Sequence, residues 1–302
     1  MFRMQGIYAP IAASFESDMG ELAVDKIIAN VKKYNETKLS GLVVMGSNGE
    51  FVFLSKEEKL LLIKTIRENL APEKHMIVGC GCESTRETIE LCKEAAALGA
   101  DAALVISPNY YKKAMQTDRV IEQFFTDVAD ASPIPVILYN MPGNSGINIP
   151  ANVTIKLAKH PNIIGEKDSG GNIVQITEKI YGTENEEFVM FAGSTSFLAA
   201  TTIMGGDGGT LALANVLPDE CVKLYELAKA GDLERAVKAQ KILMAPNAAV
   251  TSQFGIGGLK VALDHLGFFG GSPRKPLLPQ SEENAAKVIA IIDKAKAEMA
   301  AL

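Results

Sequence analysis

Cysteine and histidine are scarce in this chain of 302 residues, which has four cysteines and three histidines. So few cysteines do not make a disulfide framework, and they suit a reducing compartment. Cys80 and Cys82 are the only close pair, and their spacing lacks the two-residue spacer and the second half of a zinc knuckle. We therefore expect buried thiols and no metal site. No histidine falls in a motif that follows a strand, which argues against a Ser-His-Asp catalytic triad.

Net positive charge and long apolar runs are also missing. The formal net charge is −6 and the pI is about 5.3, so we expect no nucleic-acid partner. No apolar run approaches the roughly 20 residues that cross a bilayer, so we expect no membrane span. Residues 1–6 lead directly into the apolar run 7–11 and leave no room for a leader, which predicts a cytoplasmic location. With 47% hydrophobic and 22% charged residues, the chain is typical of a globular protein.

Short runs rich in Val, Ile, Leu and Ala recur about every 30 residues, each followed by an amphipathic segment. This alternation predicts parallel strands joined by helices. The predicted strands are residues 7–12, 41–45, 76–79, 102–107, 136–140, 163–167, 188–192 and 209–213. Eight such strands close a barrel, so the fold class is α/β and the architecture is a (β/α)8 TIM barrel.

Helical signals fill the segments between the strands and the end of the chain. Ser55 and Glu58 form the pattern of a capping box, and Leu61, Leu62 and Ile66 are the expected buried stripe of the helix that follows. From about residue 218 strand-like runs stop and helical periodicity takes over. We predict a catalytic barrel over residues 1–230 and a helical appendage over residues 231–302.

In such a barrel the working residues follow the carboxyl ends of the strands. The glycine-rich run 205–209 precedes a strand, so we interpret it as a helix end and turn instead of a phosphate loop. Residues 46–50, Gly-Ser-Asn-Gly-Glu, follow the second strand directly. Two interpretations fit them equally: a carboxylate-binding loop, or an ordinary tight turn.

Two tyrosine positions follow strands on the same rim. Tyr139 ends the fifth strand and places a phenol at the barrel mouth, unless it is only a packed aromatic. Tyr110 and Tyr111 come just after the fourth strand, where an exposed or subunit-contact role is the simpler interpretation.

Lys167 ends the sixth strand, where an ammonium is costly to bury. It must reach solvent, pair with Glu166 or Asp168, or lose its proton and become a nucleophile. If it points into the barrel, Gly165 on the same face leaves space beneath it. The residues themselves leave these alternatives open.

Four motifs in this order resemble the dihydrodipicolinate synthase and N-acetylneuraminate lyase family of class I aldolases. They are Gly46-Ser47-Asn48-Gly49-Glu50, Tyr110-Tyr111, Tyr139-Asn140-x-Pro142 and Lys167-Asp168-Ser169. The resemblance spans essentially the whole chain, including the helical tail, and it implies a Schiff-base enzyme without a cofactor.

The resemblance also implies a role for each matching residue. Lys167 would form the Schiff base with a small 2-oxo acid, and Tyr139 would relay protons. Tyr111 would complete that relay in the site of a neighbouring subunit, so a homotetramer is implied. Ser47 and Asn48 would hold the substrate carboxylate, Gly193 would offer its backbone, and Ser169 would contact the distal part of the substrate.

Two positions depart from parts of the family pattern. Where the synthase branch carries an arginine, this chain has Asn144. No other residue of its loop can replace the two parallel hydrogen bonds that a guanidinium donates to a carboxylate. Glu166 stands where an apolar residue is usual, and its side chain should point toward the helical layer.

Several longer stretches, including Pro246-Asn247-Ala248-Ala249-Val250-Thr251, look closest to the 4-hydroxy-2-oxoglutarate aldolase branch. The expected reaction is cleavage of 4-hydroxy-2-oxoglutarate to pyruvate and glyoxylate. The alternatives are a 2-keto-3-deoxy sugar acid aldolase, then dihydrodipicolinate synthase or N-acetylneuraminate lyase, and last a barrel that only binds or senses a 2-oxo acid.

Overall fold

The computed structural model describes residues 4–302, and eight parallel strands in it close into a barrel in sequence order. Residues 1–3, which belong to the segment used for the expectation about a leader, lie outside the described residues. The strands are β1 Gly6–Pro10, β2 Gly41–Val44, β3 His75–Gly79, β4 Ala102–Ile106, β5 Val136–Asn140, β6 Ile163–Asp168, β7 Val189–Ala192 and β8 Gly208–Thr210. The predicted fold class and the number of strands are confirmed.

Helices follow each strand and make up the end of the chain. They are α1 Val24–Asn35, α2 Lys56–Asn69, α3 Thr85–Ala97, α4 Lys112–Met115, α5 Asp118–Ala131, α6 Pro142–Ser145, α7 Ala151–Leu157, α8 Ile173–Gly182, α9 Leu198–Ile203, α10 Pro218–Lys229, α11 Leu233–Ala248, α12 Gly255–His265 and α13 Glu282–Ala300. Short 3-10 helices cover Ser47–Gly49, Phe51–Phe53, Thr195–Phe197 and Ala212–Asn215, and a π-helix covers Ala249–Gln253. The domain boundary at residue 230 stays a prediction; it falls between α10 and α11.

Alternation along the strands divides the core into two layers. One hydrophobic cluster combines residues such as Tyr8, Val43, Ile77, Tyr139 and Phe191, each from a different strand. Their neighbours along the strands belong to a larger cluster shared with the helices. Because successive side chains point to opposite faces, the first cluster fills the barrel interior and the second packs beneath the helices.

The start of α2 and the turn before β8 form as predicted. The Ser55 hydroxyl accepts from the backbone N–H of Glu58, whose carboxylate accepts from the N–H of Ser55 in return. Gly205, at φ 107°, lies in the turn between α9 and β8, as expected of a helix end.

Three local predictions need correction. Leu62 and Ile66 are buried, but Leu61 is 44% exposed because it lies on the outer side of α2. The last strand ends at Thr210 and not at residue 213, since the chain turns into the 3-10 helix Ala212–Asn215. Finally, Gly165 leaves no open space: a Cβ there would be 2.5 Å from Cγ2 of Val189, which fills that position.

None of the helices within residues 4–302 has the length and apolar character that a membrane crossing requires.

Candidate active site

Lys167 lies near the carboxyl end of β6 and is almost fully buried, at 4% exposure. Its Nζ is 4.1 Å from the ring centroid of Tyr139. The two residues pair directly across β5 and β6, and Tyr139 belongs to the interior cluster. Lys167 therefore points into the barrel mouth, and the interpretation in which it reaches out to solvent is wrong.

The neighbouring carboxylates are engaged by another cation. Lys179 on α8 donates to Oε1 of Glu166 at 2.5 Å and to Oδ2 of Asp168 at 2.9 Å. The expectation that Glu166 points toward the helices is thus met. Lys179 was missed by the sequence analysis, although a buried carboxylate on the outer face of a strand already required a cationic partner.

The Tyr139 hydroxyl lies among polar groups of the site. It is 3.2 Å from the hydroxyl oxygen of Ser47, and Lys167 and Ser169 lie near it. Burial raises the pKa of Tyr139, but the ammonium of Lys167 and the polar groups around the hydroxyl outweigh burial and bring the pKa below its usual value. A phenol in this setting is suited to passing protons.

The loop after β2 carries Ser47 and Asn48 in a constrained backbone. Met45 and Glu50, on either side of it, have φ values of 58° and 51°. Such left-handed conformations are uncommon for residues other than glycine and persist only where the surroundings hold them. Nδ2 of Asn48 is buried and has no hydrogen-bond partner within the described chain. A buried donor of this kind is costly unless a ligand accepts from it.

Glu50 ties this loop to the C-terminal helices. Its carboxylate pairs with Lys260 of α12 at 3.0 Å and accepts from the backbone N–H of Arg274 at 2.8 Å. The side chains of Glu50 and Lys260 are each 1% exposed. Burial lowers the pKa of Lys260 and outweighs the opposing effect of Glu50. The C-terminal part of the chain thus contacts the loop that holds Ser47 through Glu50, a connection that the sequence did not reveal.

Gly193 and Ser169 are in close contact at the ends of β7 and β6. The N–H of Gly193 donates to the carbonyl of Asp168 at 2.7 Å. A Cβ at this position would be 2.0 Å from Oγ of Ser169, so only glycine fits beside that hydroxyl.

Tyr111 stands apart from these residues. It is 76% exposed, its ring contacts that of Tyr110 at 5.2 Å between centroids, and it lies at the start of α4. The described chain therefore brings together Lys167, Tyr139, Ser47 and Ser169, but not Tyr111.

A narrow cavity adjoins Tyr139 at the barrel mouth. Its lining includes Met45, Gly46, Leu104 and Ile106. A wider cleft of about 460 Å³ shares Ile106 with it and continues outward between α2 and α3. The wider cleft does not include Lys167, so its size alone does not mark the reacting centre.

Asn144 is exposed on α6, in the loop where the synthase branch has arginine. A cation that lies outside this loop, Lys112, approaches it. A Cβ added to Gly146 would be 3.2 Å from Nζ of Lys112, the first residue of α4.

Comparison with known proteins agrees with this geometry. A model of the dihydrodipicolinate synthetase family matches residues 3–295. The chain belongs to this family. The recognition made from the sequence is therefore confirmed.

Individual relatives within the dihydrodipicolinate synthetase family are similar over most of the chain. A probable mitochondrial 4-hydroxy-2-oxoglutarate aldolase of Emericella nidulans is 40% identical, covering 93% of this chain and 91% of its own. An L-threo-3-deoxy-hexylosonate aldolase of Hypocrea jecorina is 39% identical, covering 90% of each. Chloride-inhibited dihydrodipicolinate synthase from Acinetobacter baumannii, solved with pyruvate, has a TM-score of 0.90 at 29% identity, covering 97% of this chain and 99% of its own. These relatives bear out the prediction of an aldolase-type enzyme.

Proposed function

We propose that the chain cleaves a 4-hydroxy-2-oxo acid through a Schiff base on Lys167, with 4-hydroxy-2-oxoglutarate as the preferred substrate. The observation that carries this proposal is the burial of Lys167 against the Tyr139 ring, while Lys179 binds the adjacent carboxylates. A buried amine without a carboxylate partner is suited to nucleophilic attack, because no adjacent negative charge holds it in the protonated form.

In the proposed reaction the neutral amine of Lys167 adds to the C2 carbonyl, and loss of water gives an iminium. Tyr139, with Ser47, removes the proton of the C4 hydroxyl while the C3–C4 bond breaks and its electron pair enters the iminium. The aldehyde leaves, which is glyoxylate for the preferred substrate. The enamine of pyruvate is then protonated at C3, and water releases pyruvate from Lys167. The iminium is the electron sink, so the scheme calls for no metal or organic cofactor.

Other residues have proposed roles in binding. The buried Nδ2 of Asn48 and the Ser47 loop hold the 2-oxo acid carboxylate, which would give the unpartnered donor its acceptor. The Gly193 backbone lines the substrate, and Ser169 contacts its distal part. Tyr111 completes the proton relay in a neighbouring subunit of a homotetramer, for which its 76% exposure leaves it available.

The relatives support the choice of substrate and keep one rival open. The Emericella protein is named as an aldolase for 4-hydroxy-2-oxoglutarate and the Hypocrea protein as one for a 3-deoxy-hexylosonate, at nearly equal identity. A sugar-acid aldolase is therefore the second candidate. The Emericella relative is also named as mitochondrial, so the cytoplasmic location inferred from the sequence stays a prediction.

Borohydride reduction in saturating pyruvate, followed by peptide mass mapping, tests the Schiff base. We expect an adduct on Lys167 and none on the buried Lys179 or Lys260, which serve as internal controls. A folded protein that acquires no adduct on Lys167 would refute the proposal and favour a barrel that only binds or senses 2-oxo acids.

A parallel assay tests the substrate. Pyruvate release is measured from 4-hydroxy-2-oxoglutarate, 2-keto-3-deoxy sugar acids and N-acetylneuraminate, and dihydrodipicolinate formation from pyruvate and aspartate semialdehyde. We expect the highest kcat/KM for 4-hydroxy-2-oxoglutarate. A dominant synthase activity would contradict the argument from Asn144.

A further inference from the structure

Three buried charges lie directly behind Lys167, on the outer face of β6. Glu166 and Asp168 precede and follow Lys167 and point to the opposite side of the sheet. Both carboxylates bind the same ammonium, that of Lys179 on α8, and the three side chains are at most 1% exposed. One cation thus holds the residues on both sides of Lys167.

The same network extends to β5 at the level of Tyr139. Nδ2 of Asn140 donates to Oδ2 of Asp168 at 2.8 Å, and Asn140 lies opposite Asp168 just as Tyr139 lies opposite Lys167. The pairing of β5 with β6 has a register shift near Val136. The hydrogen bond between Asn140 and Asp168 therefore adds a side-chain constraint on the alignment of two strands whose backbone pairing is irregular near Val136.

The network also sets the charge behind Lys167. When all three groups are ionised, two carboxylates and one ammonium leave a net charge of −1. Burial alone would lower the pKa of Lys179, but the charges of Glu166 and Asp168 outweigh it and raise the pKa above its usual value. Thr154 donates to the second oxygen of Glu166 at 2.7 Å, which satisfies that carboxylate further.

We infer that Lys179 and Glu166 are positioning residues for Lys167: Lys179, held by Glu166, fixes Asp168, whose contact with Asn140 supports the β5–β6 alignment that sets Lys167 against Tyr139, and the pair sets the charge behind the reacting amine. The inference rests on the proposed Schiff-base role of Lys167. Neither residue touches the substrate. Both act through β6.

A double variant, Glu166→Leu with Lys179→Met, separates alignment from charge. It removes one charge of each sign and with them the Lys179 bridge. Asp168 loses its ammonium partner but keeps the hydrogen bonds from Asn140 and from the N–H of Gly170, which favour its ionised form, so the net charge stays at −1. We expect kcat for cleavage to fall about tenfold with KM changed by less than about twofold, because small displacements of reacting groups slow the chemical step. A wild-type kcat in the folded double variant would overturn the positioning role.

Glu166→Gln tests the charge while it keeps the shape of the cluster. The groups placed against Lys179 are Glu166 and Asp168 of β6, and the titratable group placed against Lys167 is Tyr139 of β5. The substitution removes one negative charge from behind the reacting amine. We expect the midpoint of the pH profile for trapped-adduct formation to move down by about 0.5 pH unit.

The matched control is Glu178→Gln, on the exposed face of the same helix. It should leave the midpoint unchanged, because water screens an exposed carboxylate. An unmoved midpoint in Glu166→Gln, or an equal shift in the control, would overturn the role of the charge. If the double variant does not fold, Glu166→Gln still decides the role of the charge.

Failure of this inference is distinguishable from failure of the proposed function. A wild-type protein that borohydride does not trap at Lys167 refutes the Schiff base itself. If borohydride traps the wild-type protein at Lys167, and both variants have the kcat and the midpoint of wild type, only the role of Lys179 and Glu166 is refuted.

Discussion

At the scale of single residues, Tyr139 has the most contacts with the other proposed site residues. Its hydroxyl is within hydrogen-bond distance of Ser47 and lies near Lys167 and Ser169, and its ring packs beside Nζ of Lys167. The packing of the ring and the proton transfer by the hydroxyl can be tested separately, because phenylalanine at position 139 keeps the ring and removes the hydroxyl.

We expect Tyr139→Phe to lower kcat by about 10²-fold, because a positioned proton-transfer group contributes roughly that factor. The midpoint of thermal unfolding should change little, since the buried ring remains. Steady-state kinetics and circular dichroism measure the two effects. Tyr181→Phe, at a tyrosine that is 74% exposed, is the control and should behave as wild type. A kcat within twofold of wild type would exclude Tyr139 from the relay.

Lys112 offers a second test at a single residue, because its ammonium approaches the loop that lacks the synthase arginine. If it meets the second carboxylate of 4-hydroxy-2-oxoglutarate, Lys112→Met should raise KM for that substrate about fivefold. KM for a sugar acid, which has no carboxylate at that end, should stay within about twofold. The neighbouring Lys113→Met is the control. Equal effects on both substrates would argue against this contact.

Among the elements, the loop after β2 depends on α12 for its support. The left-handed Glu50 pairs with Lys260 in a buried setting, and the N–H of Arg274 binds the same carboxylate. The strained loop is thus held in place by residues more than 200 positions away in the sequence.

We expect Glu50→Gln to reduce the free energy of unfolding by about 3 kcal/mol, because it leaves the ammonium of Lys260 buried without its counter-charge. Denaturant unfolding measures this loss, and kcat should fall as the Ser47 loop shifts. Lys287→Met, which breaks an exposed pair with Glu283 on α13, is the matched control and should leave stability unchanged. If both variants lose the same free energy of unfolding, burial does not make the pair of Glu50 and Lys260 more stabilising than an exposed pair.

The sequence predicted most elements because local patterns are sufficient to define them. Apolar runs locate the strands, and the Ser55 capping box locates the start of α2. The prediction failed where contacts between elements decide: Val189 fills the position beside Gly165, and Lys179 and Lys260 turn inward to carboxylates on other elements. A lysine on an amphipathic helix is ordinarily expected at the surface, so no local signal marks these two.

At the scale of the whole molecule, the exposed pair Tyr110 and Tyr111 is consistent with the implied assembly. Large exposed aromatic side chains are typical of protein interfaces. If Tyr111 acts across a two-fold interface, each site combines residues of two subunits.

Mixing two inactive variants, Lys167→Ala and Tyr111→Phe, tests this arrangement. In a mixed dimer the chain that keeps Lys167 receives an intact Tyr111 from its partner, so one site of two is complete. After subunit exchange at equal amounts, we expect about a quarter of wild-type activity, because half of the dimers are mixed. Sedimentation of the mixture confirms assembly. Activity no higher than that of the separate variants would place Tyr111 outside the neighbouring site.

The buried pair between Glu50 and Lys260 has a consequence for protein engineering. A cut near residue 230 would follow the predicted domain boundary, yet a barrel separated there would lose Lys260, the cation that pairs with Glu50 in the loop after β2. Chimeras that exchange barrels among members of this family should therefore carry their own C-terminal helices with them. The last quarter of the chain should therefore be exchanged together with the site, although none of its residues is proposed to touch the substrate.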